Sequence, residues 1–157
     1  MADSGCHRLA RTHWLFIMPP ELPDLFLGRW RLVPELCLYE YGPVPAGGEY
    51  LIERTERTVR LSVTWTMTDG TTMSENYAGR EDGSWQPHDG PGAEAYTINR
   101  IDRHTLDSAA FRAGATIGYA RRVASNDGTL LVVVQDGARD NGDKFRNFQL
   151  YRRTADR

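Results

Sequence analysis

Met73, Glu75 and Tyr77 stand at alternate positions of one short run and set the first chemical question. In an extended strand, residues two apart share a face, so a carboxylate and a phenol lie side by side. If that face turns inward, loss of water lifts the Glu75 pKa towards a general-base range, and Tyr77 can share its proton or orient a ligand. If it turns outward, Glu75 is solvated or paired with an arginine, the commoner fate of a charged side chain. His88 beside Asp89, within Gln86-Pro87-His88-Asp89-Gly90-Pro91-Gly92, is a third acid/base candidate, because imidazole titrates near neutrality. A histidine in an exposed loop is more often inert, and His104 reads only as a turn residue.

Other chemistries find no support. His7, His13, His88 and His104 share no ligand spacing, and Cys6 and Cys37 are isolated, so no metal site is expected. There is no Gly-rich phosphate loop, no nucleophile serine on a strand–turn–helix, and no haem or flavin motif, so no cofactor is expected either. The net charge is −2 and the pI about 6.1. The basic residues are scattered, with Arg121-Arg122 and Arg152-Arg153 the longest clusters, which excludes a nucleic-acid footprint. Two cysteines make no disulfide framework and suit free thiols in a reducing compartment. The apolar run Trp14–Met18 after Arg8 and Arg11 is shorter than the roughly 7–15 residues of a secretory core. It also falls far short of the about 20 residues of a membrane span. The expectation is a cytoplasmic protein, monomer or homodimer, without membrane insertion. Residues before Met18 lack periodicity, so a start at Met18 is one expectation, which mass spectrometry of natively expressed protein decides.

These residues have to be positioned by strands. Val59, Leu61, Val63, Trp65 and Met67 alternate with Thr58, Arg60, Ser62, Thr64 and Thr66, a period of two that demands one buried and one wet face. Asp69-Gly70, Asp82-Gly83 and Asn126-Asp127-Gly128 mark hairpin turns, while Asp136-Gly137 and Asn141-Gly142 bracket the last connection. Read in this way, about ten strands follow at 28–33, 48–54, 58–67, 72–79, 84–86, 95–102, 105–112, 116–124, 130–135 and 145–153. Tight turns throughout imply an up-and-down meander, and a meander without helices removes its edges best by closing into a barrel. The predicted fold is therefore all-β: a closed antiparallel barrel over 28–153, after an N-terminal extension over 1–27. Residues 23–27 read as a short helical or irregular turn, and 34–47 as a lid or plug.

Alternation also puts Leu106, Ser108 and Ala110 on one face, and Thr116, Gly118 and Ala120 on another. If both faces point inward, their small side chains leave volume for a cavity; the alternative is solid packing against Trp65 or Trp85. Trp65, Tyr77, Trp85, Tyr96, Tyr119 and Tyr151 are the aromatic candidates for the lining, with core packing as the plainer role.

Gly28-Arg29-Trp30 resembles the Gly-X-Trp that opens the first strand of lipocalins. Together with Arg100-Ile101-Asp102, Arg122–Gly128 and Asn147 to Tyr151, it makes the chain similar to a bacterial group of small lipocalin-like proteins. Those proteins are related in fold to intracellular fatty-acid-binding proteins of the calycin superfamily. The resemblance implies that Trp30 closes the barrel floor under a basic residue of the last strand, Arg152 or Arg153. It also implies a ligand cavity. Fatty-acid binders of this shape commonly hold a carboxylate with Arg-X-Tyr on the last strand, whereas this chain reads Gln149-Leu150-Tyr151. Without that charge-assisted partner, the expected ligand shifts from a free fatty acid to a neutral alcohol, aldehyde, amide or ring compound.

Two functions follow. The first is binding of a small, largely apolar molecule by Trp65, Met73, Glu75, Tyr77, Trp85, Tyr96, Tyr119, Gln149 and Tyr151. The alternative is a cofactor-free cyclase or isomerase of secondary metabolism, with Glu75, Tyr77 and His88 as its acid/base groups, acting by orientation and desolvation.

Overall fold

The computed structural model describes residues 21–155, Pro91 excepted. The expectations for Cys6, His7, His13, the 14–18 run and a Met18 start concern residues outside that range. Among the described residues the strands are β1 (Gly28–Leu32), β2 (Leu38–Tyr39), β3 (Gly47–Thr55), β4 (Thr58–Thr66), β5 (Thr72–Arg80), β6 (Gln86–Pro87), β7 (Ala95–Arg100), β8 (Thr105–Arg112), β9 (Ala115–Ala124), β10 (Leu130–Ala138) and β11 (Lys144–Arg153). They form a single antiparallel sheet in the order β5-β4-β3-β1-β11-β10-β9-β8-β7-β6. No helix among these residues is long and apolar enough to cross a membrane.

The sheet curls until first and last strands meet. β1 pairs with β11, Trp30 opposite Arg153 and Leu32 opposite Tyr151. The remaining seam, between β5 and β7, is bridged differently. The Gln86 side-chain amide accepts from Arg80 N (3.0 Å) and donates to Arg80 O (3.1 Å), standing in for a strand's backbone. The Tyr96 hydroxyl donates to the Ala78 carbonyl beside it. Gly79 leaves the room for this arrangement, since a Cβ at that position would push the Gln86 amide aside. The result is a nearly closed up-and-down barrel, as alternation and turn spacing predict.

Inward positions follow the predicted period. Val59, Leu61 and Val63 of β4 are buried, and Tyr50 and Ile52 of β3 lie beside them. At the closed end Trp30 is fully buried and donates from Nε1 to Phe26 O (3.0 Å). Arg153 covers its ring at 4.1 Å, a cation–π contact, and Arg153 Nη1 donates to Leu27 O (2.7 Å). Arg152, the other residue offered for this role, pairs with Arg31 and is exposed, because its position in the two-residue period faces outward. Residues 25–26 form a turn rather than a helix. That turn carries Phe26 into the core and buries Asp24, which takes Arg100 through Nε and Nη2 (both 2.8 Å) and also Arg54.

Three local features differ from the sequence reading. The 34–47 stretch is not wholly a lid: after one 3-10 turn (Pro34–Leu36), β2 adds to the edge of β11. Asn147 fixes it, accepting from Glu40 N (3.0 Å) and Tyr41 N (3.2 Å) and donating to Tyr41 O (3.0 Å). Asp136-Gly137 is not a turn, because β10 runs on to Ala138 opposite Lys144. Gly137 serves close approach instead, its missing Cβ leaving the space that the Phe145 ring occupies. The expected strand at 84–86 shrinks to Gln86–Pro87.

Candidate functional site: a polar-tipped cavity inside the barrel

The small residues of β8 and β9 decide the interior. Ser108 faces Ala120, and Ala110 faces Gly118, across the β8–β9 ladder. With so little side chain on that wall, a cavity of about 130 Å³ remains between it and Leu61, Val63, Ile98 and Val133. Such a volume is comparable with cavities that admit a single aromatic ring, and smaller than the roughly 300–1,000 Å³ of drug-sized pockets.

Among the residues named from sequence, Trp65, Glu75, Tyr77, Tyr96, Tyr119 and Gln149 border this space. Tyr151 lies fully buried behind it, accepting from Trp65 Nε1 (3.1 Å) and donating to Gln149 Oε1 (2.7 Å). Gln149 Nε2 in turn reaches Gln135 Oε1 (3.4 Å). Tyr119 contributes at the wall, but its hydroxyl donates to Asp107 (2.8 Å), which also holds Arg121 in a two-pronged pair on the barrel's outer face. Met73 sits opposite Trp65 at the rim, 55% exposed and outside the lining. Trp85 stacks on Phe111 at 4.3 Å, is 59% exposed, and does not border the cavity. His88 packs against the rings of Tyr77 and Tyr96, 5.8 Å from each, rather than lining the space. The three acid/base candidates therefore divide: Glu75 and Tyr77 share the cavity, and His88 backs Tyr77 from outside it.

The sequence reading missed the strongest charge inside. Arg122 is buried on β9 and borders the cavity. Its Nε donates to the Tyr50 hydroxyl, and Nη1 donates to Ser108 Oγ (3.0 Å) and Ala120 O (3.2 Å). The guanidinium also lies 5.6 Å from the centre of the Tyr50 ring. Those acceptors make burial tolerable. Nη2 has no protein acceptor among the described residues, nor is it sealed from solvent. The last strand offers the neutral Gln149, as its sequence shows, and the interior cation comes from β9 instead. Alternation carries the signal: Arg122 is one further step along the face of Gly118 and Ala120.

Electrostatics sharpen the picture. Partial desolvation at the cavity rim pushes the Glu75 carboxyl above its ordinary value, although the side chain stays exposed to water, and the Arg122 charge and the Tyr77 hydroxyl pull the other way. Tyr77 is raised to about 12, by burial first and then by the Glu75 charge. Tyr50 is raised by complete burial, although Arg122 works the other way. Glu75 and Arg122 feel each other's charge without forming an ion pair. Among the described residues no group of three or more His, Cys, Asp or Glu side chains gathers to hold a metal.

No family model and no curated protein matches the chain. Solved structures do share its barrel. The wild-type fluorescent protein UnaG superposes with a TM-score of 0.57 at 11% identity, over 82% of this chain and 97% of that one. As-p18, an extracellular fatty acid binding protein, gives 0.52 at 12% identity, over 85% and 99%. At such identities the likeness is one of fold alone: a nearly closed up-and-down barrel like that of a fatty acid binding protein.

Proposed function

We propose that this protein binds a small, largely apolar molecule inside its barrel. The observation that carries the reading is the cavity itself, kept open by Ser108, Ala110, Gly118 and Ala120 and edged on one side by convergent polar groups. An apolar space with a few placed polar atoms is the usual form of a small-molecule site. The shared fold with a fatty acid binding protein supports the same reading. We place the protein in the cytoplasm, a reducing setting that suits a free thiol such as that of Cys37, which donates to Val33 O (3.4 Å).

The test is uptake. Native mass spectrometry of the purified protein, and titration with a single-ring apolar probe such as toluene followed by protein NMR, should both report binding. Ala110→Phe fills the space and should abolish uptake while circular dichroism stays unchanged. If the probe binds the variant as well as the parent, the ligand lies elsewhere and the proposal fails.

A further inference from the structure

The polar end of the cavity holds one cation and one anion that do not neutralise each other by contact. Arg122 enters from β9 with Nη2 unpartnered and open to the space. Glu75 enters from β5, on the other side of the barrel's open seam, with Tyr77 as its hydrogen-bonding neighbour. Glu75 borders the cavity at its rim, where the side chain also reaches water, and its carboxylate has accepting positions to offer a ligand. Resting on the binding reading above, we propose that the site selects a neutral, ring-sized molecule carrying an acceptor and a donor on one group, such as a carboxamide. Its acceptor meets Arg122 Nη2 and its donor meets Glu75.

The charge balance leads there. Arg122 and Glu75 sum to zero, and an uncharged ligand preserves that sum in a place where net charge is costly. A carboxylate would satisfy Arg122 but set a second negative charge near Glu75, which like-charge repulsion disfavours. A purely apolar ring would leave the buried Arg122 with Nη2 cut off from water and without a partner, also at a cost. A donor–acceptor group meets both demands. Its recognition element is the pair of facing charges, not the last-strand position where Gln149 stands.

Three probes of nearly equal size separate the possibilities: toluene, benzamide and benzoate, titrated at pH 7 by protein NMR with calorimetry. In the parent, benzamide should bind about tenfold or more tightly than benzoate, the ratio given by one pKa unit's worth of like-charge interaction. Glu75→Gln removes the repelling charge and should raise benzoate affinity by a larger factor than it changes toluene affinity. Benzoate equal to or better than benzamide in the parent overturns the inference. So does a Glu75→Gln variant whose benzoate affinity does not rise, or a preference for toluene. In each of those cases uptake still occurs and the binding reading stands. Failure of all three probes to enter brings down both.

Discussion

The closed end of the barrel depends on Asp24, and its removal makes a quantitative test. Its carboxylate is buried and holds two guanidinium groups: Arg100 through two hydrogen bonds of 2.8 Å, and Arg54, which also reaches Glu81 at 2.7 Å. Hydrogen bonds to charged groups are each worth about 1.5–3 kcal/mol, and stripping one partner from a buried pair costs about 3–5 kcal/mol. The full value is not reached here. Arg100 is 38% exposed and returns to water, and Arg54 keeps Glu81. The expected loss for Asp24→Ala is therefore about 2–4 kcal/mol, a fall in Tm of about 5–15 °C for a domain of this size. Thermal and urea denaturation at pH 7 measure it. Burial alone would raise the Asp24 pKa, but the hydrogen bonds and charges of Arg100 and Arg54 outweigh it and hold the value below 3.8. The stabilisation is thus complete above the unfolded-state value and disappears as pH falls through the folded one. Parent and variant should converge only in strong acid. A loss under about 0.5 kcal/mol at pH 7, the scale of an ordinary surface change, would mean that water replaces the carboxylate freely, and the reasoning would be refuted.

Other outcomes follow from single contacts. Tyr151→Phe leaves Trp65 Nε1 and Gln149 Oε1 without the hydroxyl that joins them; a destabilisation of about 1–3 kcal/mol and a shifted Trp65 emission should both appear in urea titrations. Ala113 occupies the left-handed region at φ 49° in the β8–β9 turn, so Ala113→Gly should stabilise by about 0.5–1 kcal/mol, read as a raised Tm. Glu75 binds its proton more tightly in the folded protein, so the fold loses stability as pH climbs past its ordinary 4.5. With Arg122, Tyr77 and Tyr50 around it unchanged, Glu75→Gln should be the more stable form at pH 7. The two should be indistinguishable below that value; equal stability at both pH values would contradict the raised pKa.

Much of the architecture was legible because period-two runs and Asp-Gly turns are local signals. Alternation puts Ser108 and Ala110 on one face and Gly118 and Ala120 on another, and those four residues form one wall of the cavity. What escaped was non-local. Gly137 carries the same dipeptide as a true turn, and only the Phe145 ring across the ladder distinguishes close approach from reversal. Leu38–Tyr39 becomes a strand because Asn147, more than a hundred positions away, satisfies the backbone just beyond it. In sequence Arg122 is only part of the short Arg121-Arg122 cluster, because an arginine inside a barrel is improbable until Tyr50 and Ser108 are known to face it. Trp85 and His88 look like lining residues by type, yet a two-residue strand leaves their direction unfixed by alternation, and both settle on ring faces instead.

The seam closed by Gln86 has one more consequence. A side-chain amide occupies a single backbone position of β5, so the stretch 72–76 keeps a free margin of amide and carbonyl groups despite the barrel's closure elsewhere. Exposed margins of that kind invite another molecule's strand to add on. Here Thr72, Ser74 and Asn76 supply the outer face and Glu75 a negative charge, a composition unfavourable to self-association.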